Sequence, residues 1–185
     1  MERRMYPGKI FRCPNGVCCA HVGDDELIFP PFLGRRDRQR LTRLENVVPE
    51  KHFVEKRDPK SGTVYFQLGT GGCVGCDFFD SKTGHCTVYK FRPLDCKLFP
   101  LTLDLQQETL MWIVYLCACL PAVSNIDIQR FTEYAERRIL PLFTDEDLWL
   151  YAQLPGDRMY ELGQWRILRP VKRPEKSIQP SHIAE

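Results

Sequence analysis

Nine cysteines in a chain of 185 residues constrain this sequence more than any other feature. They fall into three groups: Cys13, Cys18 and Cys19, then Cys73, Cys76, Cys86 and Cys96, and finally Cys117 and Cys119. An odd number of cysteines cannot all be paired, and the first residues carry positive charge without the apolar stretch of a secretory signal. Because reducing compartments disfavour disulfides, the sequence predicts a cytoplasmic protein whose cysteines bind metal or do redox chemistry.

The composition is that of an ordinary globular protein. Hydrophobic residues make up 43% of the chain, charged residues 27%, and 26 Lys and Arg against 24 Asp and Glu give a net charge of +2. A hydrophobic core is therefore available, and a wholly disordered chain is excluded. The longest apolar run, residues 110–120, is well short of the roughly 20 residues that cross a bilayer, so we expect no membrane span.

The pattern of residues predicts an α+β fold, small and loop-rich, with short β-hairpins and an appended helical segment. Leu41, Leu44 and Val48 form a helical stripe within residues 35–48. Two hairpins are expected, one with strands at 52–56 and 63–68, the other with strands at 98–104 and 110–116. A helix over 111–120 is the alternative to the last strand, but the β-branched and aromatic residues there favour the strand.

Beyond the cysteines the pattern becomes helical. Ser124, with Asp127 three residues later, predicts the start of a helix, and an acidic segment from Thr144 predicts a second short helix that ends before Pro155. We therefore divide the chain into a cysteine-cluster metal-binding domain (1–123), a helical extension packed on it (124–170) and a flexible tail (171–185).

The spacing of the cysteines suits metal ligation. Adjacent Cys18 and Cys19 can hardly bridge to each other, because a disulfide needs α-carbons farther apart than one peptide unit allows. Cys73 and Cys76 form a C-x-x-C knuckle, in which Gly75 permits a tight backbone and two sulfurs can reach one metal.

Residues 86–100, which read CTVYKFRPLDCKLFP, closely resemble the C-x-[IV]-Y-x-x-R-P-x-x-C-[KR]-x-[FY]-P segment of the CxxCxxCC cysteine-cluster family, also called the YkgJ type. Residues 11–19, the region from Gly72 to Phe79 and a late cysteine after a Trp-containing strand are similar to that family in order, so the resemblance covers about residues 10–120. It implies a zinc- or iron-chelating domain. Some relatives, including the flagellin lysine N-methylase group, are associated with an iron–sulfur cluster.

One departure from the family pattern concerns the first motif. The family has C-x-x-C-x-x-C-C, whereas this chain has C-x4-C-C and lacks one cysteine, with Asn15 near the vacant place. We hypothesise that the additional thiol of the Cys73 and Cys76 pair replaces the missing one.

The predicted metal ligands are the cysteines of all three groups: Cys13, Cys18, Cys19, Cys73, Cys76, Cys86, Cys96 and Cys117. Cys117 and Cys119 lie in an apolar run, so core packing is an equal explanation for either. Soft sulfur ligands favour zinc or iron–sulfur over magnesium or calcium. Together with the resemblance, they favour an iron–sulfur cluster, foremost a 4Fe-4S cluster, with zinc as the alternative. Four thiolates satisfy one centre, so two centres or reserve thiols remain open.

Three further residues lie close to the cysteines. Arg92, in the matched segment, is a candidate cofactor-binding residue, because it can donate hydrogen bonds and offset the negative charge of a tetrathiolate centre; a surface salt bridge is the simpler reading. His21 and His85 could complete a mixed site, although surface positions explain them as well.

The remaining motifs argue against other functions. Five arginines between residues 35 and 43 suggest nucleic acid, but the near-neutral net charge and the lack of a zinc-finger helix favour a solvated helix face. Residues 69–72 fit no phosphate-binding loop, and no catalytic triad stands out. The sequence favours a non-enzymatic metal protein with a structural, electron-transfer or accessory role beside a protein partner. The alternative is an oxidoreductase or protein-modifying enzyme that uses the cluster as reactive cofactor.

Overall fold

The computed structural model describes residues 30–59, 61–70, 75–115, 124–154 and 165–172. Both helices and strands occur along these ranges, and every strand pairing in them is antiparallel. The elements in chain order are α1 (Arg35–Leu41), α2 (Pro49–His52), β1 (Phe53–Arg57), β2 (Val64–Leu68), β3 (Phe79–Asp80), β4 (His85–Cys86), α3 (Leu94–Leu98), β5 (Leu101–Gln106), β6 (Thr109–Tyr115), α4 (Asn125–Arg138), α5 (Asp145–Gln153) and β7 (Trp165–Pro170). The predicted α+β class is confirmed.

The helix predicted over residues 35–48 is shorter than its apolar stripe suggested. α1 ends at Leu41, and the hydrogen bonds from Leu44 to Leu41 and from Val47 to Leu44 are those of tight turns with three residues per turn. The change of period brings Val47 inward, 6% exposed, and leaves Val48 outside, 49% exposed. The prediction that Val48 faces the core was therefore wrong.

The first predicted hairpin is present as β1 and β2, whose register joins Phe53 to Leu68 and Arg57 to Val64. Gly62 closes the turn with a φ of +70°, a conformation that glycine adopts without steric cost. The chain before α1 runs beside β2, since Leu33 donates to the Phe66 carbonyl at 2.8 Å and Leu68 donates to the Pro31 carbonyl at 2.9 Å. The hairpin is thus covered along one edge.

The second predicted hairpin is also confirmed, with a shift at its start. β5 begins at Leu101, because the residues before it form α3, and the turn to β6 places Gln107 and Glu108 at positive φ. The helix considered for residues 111–120 is excluded for residues 111–115, which lie in β6; residues 116–120 are outside the described part.

Both predicted C-terminal helices form where expected. The Ser124 hydroxyl accepts a hydrogen bond from the N–H of Asp127 at 3.1 Å, and Thr144 caps α5 in the same way through Asp147 at 3.0 Å. These bonds satisfy N–H groups that have no partner within the helix.

The last described strand, β7, lies in the segment that we assigned to the helical extension, beyond the two helices predicted there. β7 pairs with β6, with Tyr115 opposite Trp165 and Met111 opposite Pro170. It covers the edge of β6 that β5 leaves unpaired, so β6 is the central strand of a three-stranded sheet. Val171 and Lys172, which we assigned to the flexible tail, are held by hydrogen bonds to the Leu110 carbonyl at 2.9 Å and to the Glu136 carboxylate at 2.7 Å.

Two hydrophobic clusters lie in the described part of the chain. The main core joins the β5–β6 sheet to α4 and α5, and its centre is formed by Trp112 and Phe131, neither of which is exposed to solvent. The second cluster is smaller and consists of Leu33, Leu41, Val47, Leu68, Phe78 and Val88. The main core includes residues on both sides of position 123, such as Trp112 and Phe131. The division of the chain into domains at position 123 stays a prediction.

Among the described residues, no helix has both the length and the apolar character needed to cross a membrane.

Candidate metal centre

Cys76 and Cys86 both pair with one residue, Phe79, through the backbone. The N–H of Phe79 donates to the Cys76 carbonyl at 2.9 Å, and Phe79 is the strand partner of Cys86. Gly75, just before Cys76, has a φ of +113°, which a residue with a side chain rarely adopts. The backbone at Gly75 therefore has a conformation that favours glycine, as the sequence analysis expected for the C-x-x-C knuckle.

Both cysteines are half-buried against the smaller hydrophobic cluster, and neither forms a disulfide. Burial raises the pKa of the Cys86 thiol above its ordinary value, while a hydrogen bond from the Val88 backbone and the charge of Arg92 act in the opposite direction. A thiol in this setting gives up its proton when a cation arrives, because a metal replaces the proton on sulfur.

Cys96 lies on α3, a helix of five residues that depends on its neighbours. Its N-cap, Pro93, offers no side-chain hydrogen bond, but the carboxylate of Asp37 on α1 accepts the N–H of Leu94 at 3.0 Å. Asp37 is 1% exposed and forms a 2.6 Å salt bridge with Arg40. A buried carboxylate from a distant helix therefore fixes the start of the segment that carries Cys96.

A second carboxylate, that of Asp95 on α3 itself, ties this helix to its neighbours. The Asp95 carboxylate accepts hydrogen bonds from the Tyr151 hydroxyl at 2.6 Å and from the Phe32 N–H at 2.8 Å. Burial raises the pKa of Asp95, and burial together with the nearby Asp95 charge raises the pKa of Tyr151. α3 is thus held between the chain before α1 and the C-terminal helix α5.

Cationic side chains surround the described cysteines. The guanidinium of Arg92 lies over the ring of Tyr89 at 4.4 Å, and its charge lowers the pKa of Cys86. Lys97, next to Cys96, has a pKa lowered by burial and by the charge of Arg40, and the sulfur of Cys96 opposes this shift. Positive charge at these positions favours thiolates, which agrees with the role expected of Arg92 but does not test it.

Sequence reasoning missed the residues that hold α3. Arg40 was assigned to a solvated helix face, yet it bonds Asp37 and donates to the Arg92 carbonyl at 2.9 Å. The spacing of three residues between Asp37 and Arg40 indicates an ion pair, but it does not indicate burial. Asp95 and Tyr151 carry no signal in sequence, because they are 56 residues apart.

The chain matches the family model named CxxCxxCC, "putative zinc- or iron-chelating domain", over residues 11–118, more than half of its length. It belongs to the CxxCxxCC family. The resemblance that we identified from residues 86–100 is thereby confirmed, and membership supports the binding of zinc or iron in general. No curated protein and no solved structure matches the chain.

The CxxCxxCC match spans the eight predicted cysteine ligands and ends one residue before Cys119. Five of the eight, Cys13, Cys18, Cys19, Cys73 and Cys117, lie outside the described residues, as do Cys119 and His21. His85 is exposed on β4, as its surface reading expected. The ligand set as a whole therefore stays a prediction.

The described residues fit part of a metal centre. Within them, no group of three or more His, Cys, Asp or Glu side chains comes close enough to hold a metal ion. The soft thiols of Cys76, Cys86 and Cys96 and the cations beside them suit zinc or an iron–sulfur cluster. A complete centre needs sulfur atoms from the parts of the chain outside the described residues.

Proposed function

We propose that this CxxCxxCC protein holds an iron–sulfur cluster, foremost a 4Fe-4S cluster, through cysteines from its three groups, with zinc as the alternative. The observation that carries the proposal is the position of Cys76 and Cys86, whose backbones both pair with Phe79 and whose side chains pack on the smaller hydrophobic cluster. An apolar shell limits solvent access to a cluster and so tunes its potential.

We infer a structural, electron-transfer or accessory role in the cytoplasm. A bound cluster supplies one-electron chemistry, and the chain's own residues contribute thiol ligands, positive charge from Arg92 and exclusion of water. The sequence has no motif for a second cofactor, so a non-enzymatic role with a protein partner is favoured over an oxidoreductase or a protein-modifying enzyme.

Three of the five clustered arginines make contacts that support a structural reading of α1 instead of nucleic-acid binding. Arg36 donates to the Leu142 carbonyl at 3.1 Å, Arg38 lies 3.9 Å over the ring of Phe66, and Arg40 is paired with Asp37. Guanidinium groups engaged in this way are less available to phosphates.

Anaerobic purification followed by iron, zinc and acid-labile sulfide analysis tests the proposal. Iron and sulfide in equal amounts, with a visible absorption that dithionite bleaches reversibly, support an iron–sulfur cluster. A colourless protein with stoichiometric zinc excludes it in favour of the alternative. Cys76→Ser, Cys86→Ser and Cys96→Ser should each lose metal, and Thr87→Ser, a change at the neighbour of Cys86, is the matched control.

The same analysis decides which thiol replaces the cysteine missing from the first motif. A Cys73→Ser or Cys76→Ser variant that keeps its full metal content removes that thiol from the ligand set.

A further inference from the structure

The hydrogen bond between Tyr151 and Asp95 joins a residue outside the family match to a residue inside it. Tyr151 lies on α5, beyond the residues that match the family model, whereas Asp95 directly precedes Cys96 within them. The bond is 2.6 Å long, and the Tyr151 side chain is almost fully enclosed. It is therefore shielded from competition with water.

The surroundings of Tyr151 fix its hydroxyl in place. Its ring contacts those of Phe32 and Phe143, with centroids 5.5 and 5.6 Å away, and its oxygen also pairs with the Thr102 hydroxyl at 2.8 Å. A hydroxyl that accepts from Thr102 while donating to a carboxylate is polarised toward the carboxylate. A bond to an ionised acceptor is also stronger than a neutral one.

The Asp95 carboxylate has few alternatives to this partner. Its other oxygen accepts from the backbone N–H of Phe32 at 2.8 Å, so both oxygens are engaged by elements outside α3. Because α3 has only five residues, its position depends on these contacts and on Asp37 more than on its own helical bonds.

We propose that Tyr151, acting through Asp95, is a positioning residue for the ligand Cys96, so that metal occupancy and the packing of α5 stabilise each other. The inference rests on the proposed function, namely on metal binding through Cys96. Coupling of two equilibria is reciprocal: if α5 holds Cys96 in place for the metal, the bound metal must hold α5 in place to the same extent.

The test uses the full chain as purified without oxygen, with its metal content measured first. Wild type, Tyr151→Phe and Tyr134→Phe are mixed with excess chelator, and metal loss is followed by elemental analysis. Tyr134 is the matched control, because its ring stacks on Phe131 in α4, away from the Asp95 bond. We expect Tyr151→Phe to lose metal about tenfold faster, the equivalent of one charge-assisted hydrogen bond, and Tyr134→Phe to match wild type.

Hydrogen exchange separates positioning from a general effect on stability. If Tyr151 only stabilised the fold, Tyr151→Phe would not change the metal-dependent part of amide exchange in α5. In wild type, metal should slow the exchange of amides in α5, and in Tyr151→Phe this metal-dependent part should vanish. Tyr134→Phe, the control variant, should keep it. Asp95→Ala, which removes both acceptor oxygens, breaks the same bond from the opposite side and serves if Tyr151→Phe does not fold.

Failure of the two proposals looks different in these data. Wild type without metal on its cysteines contradicts the proposed function, and this inference falls with it. Wild type that holds metal, with Tyr151→Phe releasing it at the wild-type rate and keeping the metal-dependent protection of α5, overturns the positioning role alone.

Discussion

The carboxylate of Asp37 accepts the N–H of Leu94 at 3.0 Å, across 57 residues of sequence. Leu94 is the first residue of α3, two positions before Cys96, and the preceding Pro93 cannot cap the helix with a side chain. Arg40 strengthens the junction from α1, since it pairs with Asp37 and also donates to the Arg92 carbonyl. A candidate ligand thus depends on a buried ion pair from another helix.

The charge of Asp37 should make the stability of the protein depend on pH. Burial raises its pKa from 3.8 to about 6, although the Leu94 N–H and Arg40 oppose the shift. A carboxyl group with a raised pKa contributes stability that is complete below the unfolded value and is lost as the pH rises through the folded value. Relative to Asp37→Asn, wild type should therefore lose about 2 kcal/mol of unfolding free energy between pH 4 and 7.

Urea denaturation of both proteins at several pH values measures this difference. Glu45→Gln, at an exposed position in the turn after α1, is the control and should follow wild type at every pH. Curves for wild type and Asp37→Asn that run parallel from pH 4 to 7 would show that Asp37 titrates normally.

Metal removal should loosen the smaller cluster before the main core. Cys76 and Cys86 pack on the smaller cluster, whereas the main core is closed by the sheet, α4 and α5. A structural metal contributes about 10–16 kcal/mol in small peptides, as much as the whole stability of many domains. Chelation should speed hydrogen exchange in the β1–β2 and β3–β4 hairpins and leave β5 and β6 protected.

The chelation experiment has an internal control. Cys86→Ser, which should already lack metal, ought to show fast exchange in both hairpins with no further change on adding chelator. Equal protection of the hairpins in loaded and chelated wild type would mean that no metal supports them.

Local patterns predicted most of the elements, because their causes lie within a few residues. The hairpin of β1 and β2, the hairpin of β5 and β6 and the Ser124 cap each form as expected. β7 was missed, since it has a partner only because β6 leaves one edge open. Val48 was misplaced because the tight turns after Leu41 change the helical period, which the spacing of apolar residues alone does not reveal.

The family of the protein was predictable from its sequence, but the contacts that hold α3 were not. The cysteine spacing and the segment from Cys86 to Pro100 identified the family before any fold was known. Asp37, Asp95 and Tyr151 gained their importance only from long-range contacts, and an isolated acid or tyrosine in sequence has many possible partners. Prediction from sequence is therefore strong for the family and weak for the residues that position its segments.

Gly69→Ala should disturb the loop that carries Cys76. A Cβ at this position would lie 2.6 Å from a carboxylate oxygen of Asp77 and 3.3 Å from the Lys51 carbonyl oxygen. That Asp77 oxygen is buried and accepts no hydrogen bond from the described residues, so the clash should displace Asp77, and Cys76 beside it, at about 1–3 kcal/mol in unfolding free energy.

Urea denaturation and metal analysis of Gly69→Ala check this expectation. The double variant Gly69→Ala/Asp77→Ala should regain most of the loss, because the main clash is gone. Gly62→Ala is the matched control: its Cβ meets nothing within 4 Å, and only the φ of +70° opposes it, so metal content should stay unchanged. A stable, fully loaded Gly69→Ala protein would contradict the prediction.

Glu136 should be the residue that keeps β7 on the sheet. Its carboxylate accepts hydrogen bonds from Trp112 at 2.9 Å, from Arg169 at 2.6 and 3.0 Å and from the Lys172 N–H at 2.7 Å, so it links α4, β6 and the end of β7. Burial alone would raise the pKa of Glu136, but the bonds from Arg169, Lys172 and Trp112 outweigh burial and lower it. Its contribution to stability is therefore present above about pH 4.5 and lost as the pH falls through the lowered value.

Glu136→Gln replaces one acceptor oxygen by an NH2 group, which then faces the N–H donors of its neighbours. We therefore expect a loss of about 2–4 kcal/mol in unfolding free energy at pH 7 and faster hydrogen exchange in β7. Glu133→Gln, one turn earlier on α4, should change stability by no more than about 0.5 kcal/mol. The gap between Glu136→Gln and wild type should narrow below about pH 4.5, as the wild-type carboxylate takes up its proton. If the difference in unfolding free energy between Glu136→Gln and wild type stays constant down to pH 3, the charge of this carboxylate does not contribute. If β7 keeps its protection in Glu136→Gln, the β6–β7 hydrogen bonds hold the strand without this carboxylate.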